Sequence, residues 1–351
     1  MKGKLTSEIR AEQTFLHLKK KPWYAILAVF LILSGLGLSV PFLFYGIKNP
    51  FEGIGNIRLA RLGLCVALAA LVVIIDAVRL KFLAHISDRS ISLKSSVRIV
   101  LIYAFFAALT PTSLGGELSM AYLLARRGMK RGSAISVTMV RTLSTPATLL
   151  IFFPAAAFLL PGNLPHSHDR FLEVMGLVSI AALFALLFVR LYRKNLRARM
   201  EKTAEKSKNK PDFLRRVLLK AWNLYTEIED AAGLMLRNGW FNILAVFVLT
   251  VVHLGCYYAL APACAGVFGV EIPFFEGILT MCMVHLIVYL TPTPAGSGVA
   301  EALFIVAFQH FLKGSEFLVV ALWRLLSEYI RIPVGAICGL WEIGKIARKK
   351  A

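Results

Sequence analysis

The sequence predicts an all-α polytopic integral membrane protein, with about six transmembrane helices plus two oppositely oriented re-entrant hairpins related by an inverted repeat. Three observations carry this. Hydrophobic residues form 58% of the 351 positions and mean hydropathy is +0.69, more apolar surface than one soluble core needs. Basic clusters alternate along the chain with stretches poor in Lys and Arg. The letters L-T-P-T occur twice, at 109–112 and 290–293, each time interrupting an apolar run.

Residues 1–22 form a basic segment expected on the cytoplasmic side, and the apolar run behind it is too long for a cleavable signal. Residues 23–345 form a single transmembrane domain. Its crossing helices are expected at 23–46, 59–80, 133–160, 171–190, 240–265 and 317–341, each long enough to span a hydrocarbon layer of about 30 Å. Residues 346–351 are a cytoplasmic tail. Net charge is +20, from 40 basic against 20 acidic residues, and the basic clusters mark the cytoplasmic face of an inner membrane, with both termini inside. The basic loop 191–238 would attract anionic headgroups by about 1 kcal/mol per nearby cation. No nucleic-acid motif accompanies the charge.

The two remaining apolar stretches, 99–125 and 272–312, do not fit as crossings. A full crossing at 99–125 would leave Arg126, Arg127, Lys130 and Arg131 outside. A hairpin that enters to about Leu109, breaks at the Pro/Gly run and returns keeps both ends in the cytoplasm. The same reasoning at 272–312 gives a hairpin entering from the opposite face. After each break comes a carboxylate, Glu117 and Glu301, and 24 and 23 residues later an arginine, Arg141 in "RTLS" and Arg324 in "RLLS".

A helix broken by proline and glycine presents unpaired N–H groups and a positive dipole end at membrane depth, and irregular backbone there must face protein or a water-filled cavity. Gly115, Gly116, Gly296 and Gly298 permit close approach of a substrate to the backbone at the two breaks and are expected to bind it together with Glu117, Arg141, Glu301 and Arg324. Arg141 and Arg324, near the middle of their spans, need partners, and Glu117 and Glu301 are expected to pair with them. Two readings stay open: salt bridges that pin the hairpins, or a site in which Arg binds an anionic headgroup and Glu acts as counter-ion or proton carrier. Glu328 and Arg331 lie on the same face as Arg324 and are secondary candidates.

Asp76 and Arg79, at the expected end of a span, read as snorkelling residues. His253 and His285 read as packed histidines, the five cysteines as small core residues, and "HSHD" at 166–169 as a weak metal signal. No catalytic residue, metal or cofactor is expected. Without a phosphate-binding G-x-x-x-x-G-K-[ST] loop, any pumping would use an ion gradient, and passive scrambling is equally open. An intramembrane enzyme would need a carboxylate beside a histidine, whereas a non-catalytic subunit would need the charges only for folding.

The segments "PTSLGGE" with "LLARRG", "VRTLS", "PTPAGSGVAEA" and "ALWRLLSEYIRIPVG" together resemble the lysylphosphatidylglycerol synthase transmembrane-region proteins, also called flippase-like domain proteins, over about residues 20–345. The resemblance implies a module that moves a phospholipid or other lipid-linked anionic or zwitterionic molecule between leaflets. These 351 residues leave no room for the soluble aminoacyl-transfer domain of the resistance factors, so synthase activity is not implied. Glu117, Arg141, Glu301 and Arg324 fall on the family's recurring charged positions. Met120 departs from a position often held by arginine, which weakens any inference about a shared headgroup preference.

Overall fold

The computed structural model describes residues 57–87, 89–110, 113–159, 239–289, 296–312 and 314–350, with a few single positions besides. Apart from such positions, the expected spans 23–46 and 171–190, the basic segment 1–22, the loop 191–238 and the "HSHD" stretch lie outside the described residues. The rest is helical: α1 Leu59–Ser87, α2 Leu93–Ala108, α3 Leu114–Arg126, α4 Arg131–Leu159, α5 Trp240–Val267, α6 Phe274–Tyr289, α7 Val299–Leu312, α8 Glu316–Arg324 and α9 Arg331–Lys350.

Length separates two kinds of helix. The apolar helices α1 and α5, and the 131–151 stretch of α4, are long enough to cross a membrane. Helices α2, α3, α6 and α7 have 16, 13, 16 and 14 residues, hence about 24, 20, 24 and 21 Å, all short of a hydrocarbon layer of about 30 Å. They come as two adjacent pairs, α2 against α3 and α6 against α7, each joined across an L-T-P-T break.

Local chemistry sets the breaks. The Thr110 hydroxyl donates to the Phe106 carbonyl at 3.0 Å, and its oxygen accepts from the Gly115 N–H at 2.9 Å, so one side chain closes the end of α2 and the start of α3. Ser113 between them takes a left-handed backbone, φ 58°, without a side-chain cap. In the second break Thr291 donates back to Val288 at 2.7 Å. Gly296 has φ +67°, and a Cβ there would strike the Val288 side chain.

A single interval carries Leu59 onto Trp240 and Leu93 onto Phe274, the first residues of α1, α5, α2 and α6, and also Thr110 onto Thr291. The same interval carries Asp76 onto Tyr257.

The expected single helix over 317–341 is instead α8 and α9 joined by a π-turn at Leu325–Tyr329, in which the Ile330 N–H donates to the Leu325 carbonyl at 3.0 Å. Pro333 adds to the irregularity, because it cannot donate to the Tyr329 carbonyl four residues back. Beyond the turn, α9 packs across α2, where Gly335 lies so close that a Cβ would collide with the Leu101 carbonyl.

Two apolar clusters hold the bundle. Leu80, Leu83, Ile99, Met120, Leu124 and Val137 unite α1 to α4. Tyr258, Phe304, Phe308, Val319 and Trp323 unite α5 to α8, with Cys65 and Val72 of α1 joining them. Phe304 stacks on Trp323 at 4.7 Å between ring centroids. Leu59, Leu64, Trp240, Phe241 and Phe275 remain exposed, an apolar exterior suited to lipid. All five cysteines are free.

Candidate functional site

The second break builds its own ion pair. Glu301 is the third residue of α7, and its Oε2 accepts from the Gly298 N–H at 2.7 Å, the reach-back of an N-terminal capping box. Arg324, the last residue of α8, donates from Nε to Oε1 at 2.8 Å and from a terminal nitrogen to Oε2 at 3.2 Å. The Tyr329 hydroxyl, brought round by the π-turn, donates to Oε1 at 3.1 Å. Glu301 is fully buried and Arg324 is 2% exposed, so this forked pair is desolvated. The expected Glu301 and Arg324 partnership forms.

The expected partnership of Glu117 with Arg141 does not. Arg141 forks onto Asp76 of α1, Nε to Oδ1 at 3.1 Å and a terminal nitrogen to Oδ2 at 2.5 Å. Arg79, one turn on, lies 3.9 Å from Asp76 and donates to the Arg141 carbonyl and the Ser144 hydroxyl. The snorkelling reading of Asp76 and Arg79 is therefore corrected: α1 runs on to Ser87, so both sit inside the bundle, 3% and 2% exposed. The Thr142 carbonyl is left open because Pro146, four residues on, has no N–H to donate; the Tyr289 hydroxyl approaches that carbonyl at 3.4 Å.

Glu117 takes neutral partners instead. Its Oε1 accepts from the Thr142 hydroxyl at 2.5 Å and the Tyr103 hydroxyl at 3.1 Å, while Oε2 is buried with no partner. Tyr103 also stacks its ring under the Arg141 guanidinium, 4.3 Å away. Two of the half-helix N–H groups expected to lie open for a ligand are used within the protein, Gly115 by Thr110 and Gly298 by Glu301. A Cβ on Gly115 would meet Thr110, and one on Gly116 would meet Ala107 and Tyr103. Both glycines therefore permit close packing at this break.

A cavity of about 640 Å³ joins the two halves. Ser113 and Glu117 from the first break line it together with Thr291, Thr293 and Gly296 from the second. Asp76, Arg79, Arg141, Arg324, Glu328 and Arg331 supply its charged wall, whereas Glu301 stands behind Arg324. Glu328 accepts from Arg331 and, at 3.2 Å, from the Tyr257 hydroxyl. The residue that the repeat interval sets against Asp76 thus holds a carboxylate where Asp76 is one. His285 is satisfied by the Tyr258 hydroxyl at 2.7 Å, and His253 faces the cavity with its Nδ1 buried and unpartnered.

The family described as "Lysylphosphatidylglycerol synthase TM region" matches residues 24–335, nearly the whole chain. The chain belongs to that family. Among its relatives are a UPF0104 membrane protein of Archaeoglobus fulgidus, 24% identical over 276 residues that cover 74% of this chain and 80% of the relative. The UPF0104 membrane protein MJ1595 of Methanocaldococcus jannaschii is 24% identical over 341 residues, 92% of this chain and 96% of the relative. A multi-pass, all-helical membrane protein is the form this family membership carries, and the apolar helices α1, α4 and α5 agree with it.

Within this family member, Asp76, Arg79, Tyr103 and Tyr257 are the site residues that sequence reasoning missed. The repeat interval was the available signal for Tyr257. For Asp76 the signal was a carboxylate and an arginine one turn apart in an apolar helix, which needs a partner if the helix does not end there.

Proposed function

We propose that this protein moves a lipid or lipid-linked molecule between the leaflets of the cytoplasmic membrane, as a transporter and not as an enzyme. The observation that carries the reading is the cavity that both broken helix pairs line and that four arginines enter. A space of this size suits a headgroup, and guanidinium groups suit its phosphate. In this reading the pairs α2/α3 and α6/α7 are re-entrant hairpins entering from opposite faces, supported by their lengths and by the shared interval between the halves. Such opposed discontinuous helices place substrate sites near the bilayer midplane of transporters built from inverted repeats. Glu117, Arg141, Glu301 and Arg324 are then the site charges, with Glu328 and Arg331 extending them; Gly115, Gly116, Gly296 and Gly298 shape the breaks. An intramembrane enzyme would need a carboxylate bonded to a histidine; His285 is bonded to Tyr258 instead, and the Nδ1 of His253 takes no hydrogen bond.

Purified protein in liposomes is expected to carry a fluorescent phospholipid across the bilayer. Arg331→Gln should slow this at least about tenfold while the purified protein keeps its helical content, since a lost charged hydrogen bond costs about 1.5–3 kcal/mol. Transport at the full rate in both Arg331→Gln and Arg141→Gln would refute the site. The membrane path has a separate check: cysteines placed at Gly128 and Lys313 in a cysteine-free background should label from the cytoplasm and from outside respectively. Labelling of position 128 from outside would overturn the first hairpin.

A further inference from the structure

The charges around the cavity balance. Arg79, Arg141, Arg324 and Arg331 face Asp76, Glu328 and Glu117, and Glu301 stands behind its arginine. Three of the four carboxylates are committed: Asp76 to Arg141, Glu301 to Arg324, Glu328 to Arg331. Glu117 has only hydroxyl partners, and both serve one of its oxygens. The other oxygen is buried without a donor. A buried acceptor left open is costly when ionised, and a proton placed on that oxygen removes the cost and supplies a donor.

Two further groups point to what the proton would meet. The Nε atoms of Arg79 and Arg331 are buried donors without acceptors, on side chains that line the same cavity, and Arg79 is 2% exposed. With Glu117 protonated, the balanced wall carries one net positive charge and holds unfilled N–H groups. An oxyanion fits that state.

We propose that the cavity takes up a phosphate-class oxyanion together with one proton, which comes from solution and resides on Glu117 Oε2. The proposal rests on the reading of the cavity as a headgroup site, and makes its occupancy depend on pH. The groups around Glu117 come from every neighbouring element. Asp76 and Arg79 line the same cavity from α1, while Tyr103 from α2, Arg141 and Thr142 from α4, and Tyr289 from α6 face Glu117 itself. His253 of α5 stands beside Asp76, and Arg324, Glu328 and Arg331 lie on the wall contributed by α8, the π-turn and α9. Among these carboxylates Asp76, Glu301 and Glu328 are held by arginines, and Glu117 is the one with an oxygen left without a donor. Anion and proton then strengthen each other's binding by the same factor.

Short-chain phosphatidylglycerol is a suitable probe because its phosphodiester keeps one charge between about pH 5 and pH 9, so that any pH dependence belongs to the protein. Calorimetric titration of the purified full chain in detergent, repeated in two buffers of different ionisation enthalpy, counts protons taken up per anion. The expected results are an uptake approaching one proton at alkaline pH, and affinity falling about tenfold per pH unit there. Glu117→Gln, a permanent mimic of the protonated carboxyl, should bind with no proton uptake and a flat pH profile. Dimethyl phosphate as a second ligand tells a free phosphate site from a lipid site: equal binding assigns the bare headgroup, and weaker binding assigns the lipid.

Wild-type binding without proton uptake would overturn the proposal, as would a pH slope that survives in Glu117→Gln, or preference for a cationic amphiphile. If Glu117→Gln does not fold, the same count in His253→Gln decides the assignment: uptake that persists keeps the proton on Glu117, and uptake that disappears places it on the histidine and overturns the proposal. Proton-linked binding without lipid movement would remove the transport reading and leave this one standing. Lipid movement with no proton bound would do the reverse.

Discussion

Arg324→Ala is expected to lower the stability of the folded protein by about 3–5 kcal/mol, because it strands the fully buried Glu301 carboxylate beside an emptied guanidinium site. The loss should appear as a large drop in thermal midpoint in detergent. Its cause can be separated from simple truncation by the double variant Glu301→Leu with Arg324→Met, in which no charge is left unpaired. That chain should recover part of the loss, since apolar replacements of buried pairs are often close to neutral. Recovery will be incomplete, because the Gly298 N–H and the Tyr329 hydroxyl also lose their acceptor. A double variant no more stable than Arg324→Ala would show that the pair's neighbours, and not the stranded charge, set the cost.

Gly335→Ala is expected to force α9 away from α2, at a cost of about 1–3 kcal/mol or more, since the obstacle is the Leu101 backbone carbonyl and no side-chain rotation relieves it. Gly339→Ala is the matched control on the same helix, where a Cβ meets nothing within 4 Å. There the better helix propensity of alanine should leave stability unchanged or raise it by up to about 1 kcal/mol. Comparing the thermal midpoints of the two variants isolates the contact from the propensity. Equal effects would mean that the crossing at Gly335 tolerates separation.

Much of this architecture is legible in the letters. The repeated L-T-P-T marks both breaks because a threonine beside a proline can close one helix while the proline stops it, and Thr110 does so with both ends of its hydroxyl. Glu301 and Arg324 could be paired from sequence because the partners lie in consecutive helices. Arg141 could not be assigned correctly. Its partner Asp76 lies in a helix packed against α4 but separated from it in sequence by α2 and α3, and hydropathy ends that helix near Leu80, just past Asp76 and Arg79. A helix continues past a charge when the bundle supplies a partner, and no local pattern reports the partner. The π-turn was equally hidden, since one extra residue per turn leaves composition unchanged while bringing Tyr329 round to Glu301.

The unlike fastening of the two breaks has a mechanical consequence. The second is held across α7 and α8 by a desolvated two-point ion pair, the first across α3 and α4 by the bond from the Thr142 hydroxyl, with Tyr103 adding a bond inside its own hairpin. Removing one partner of a buried ion pair costs about 3–5 kcal/mol, against about 1.5–3 kcal/mol for a hydrogen bond to a carboxylate. Two halves of nearly matched helix lengths are therefore unequal in stiffness. A load applied to the bundle reaches the yield point of the first break while the second still acts as a fixed abutment.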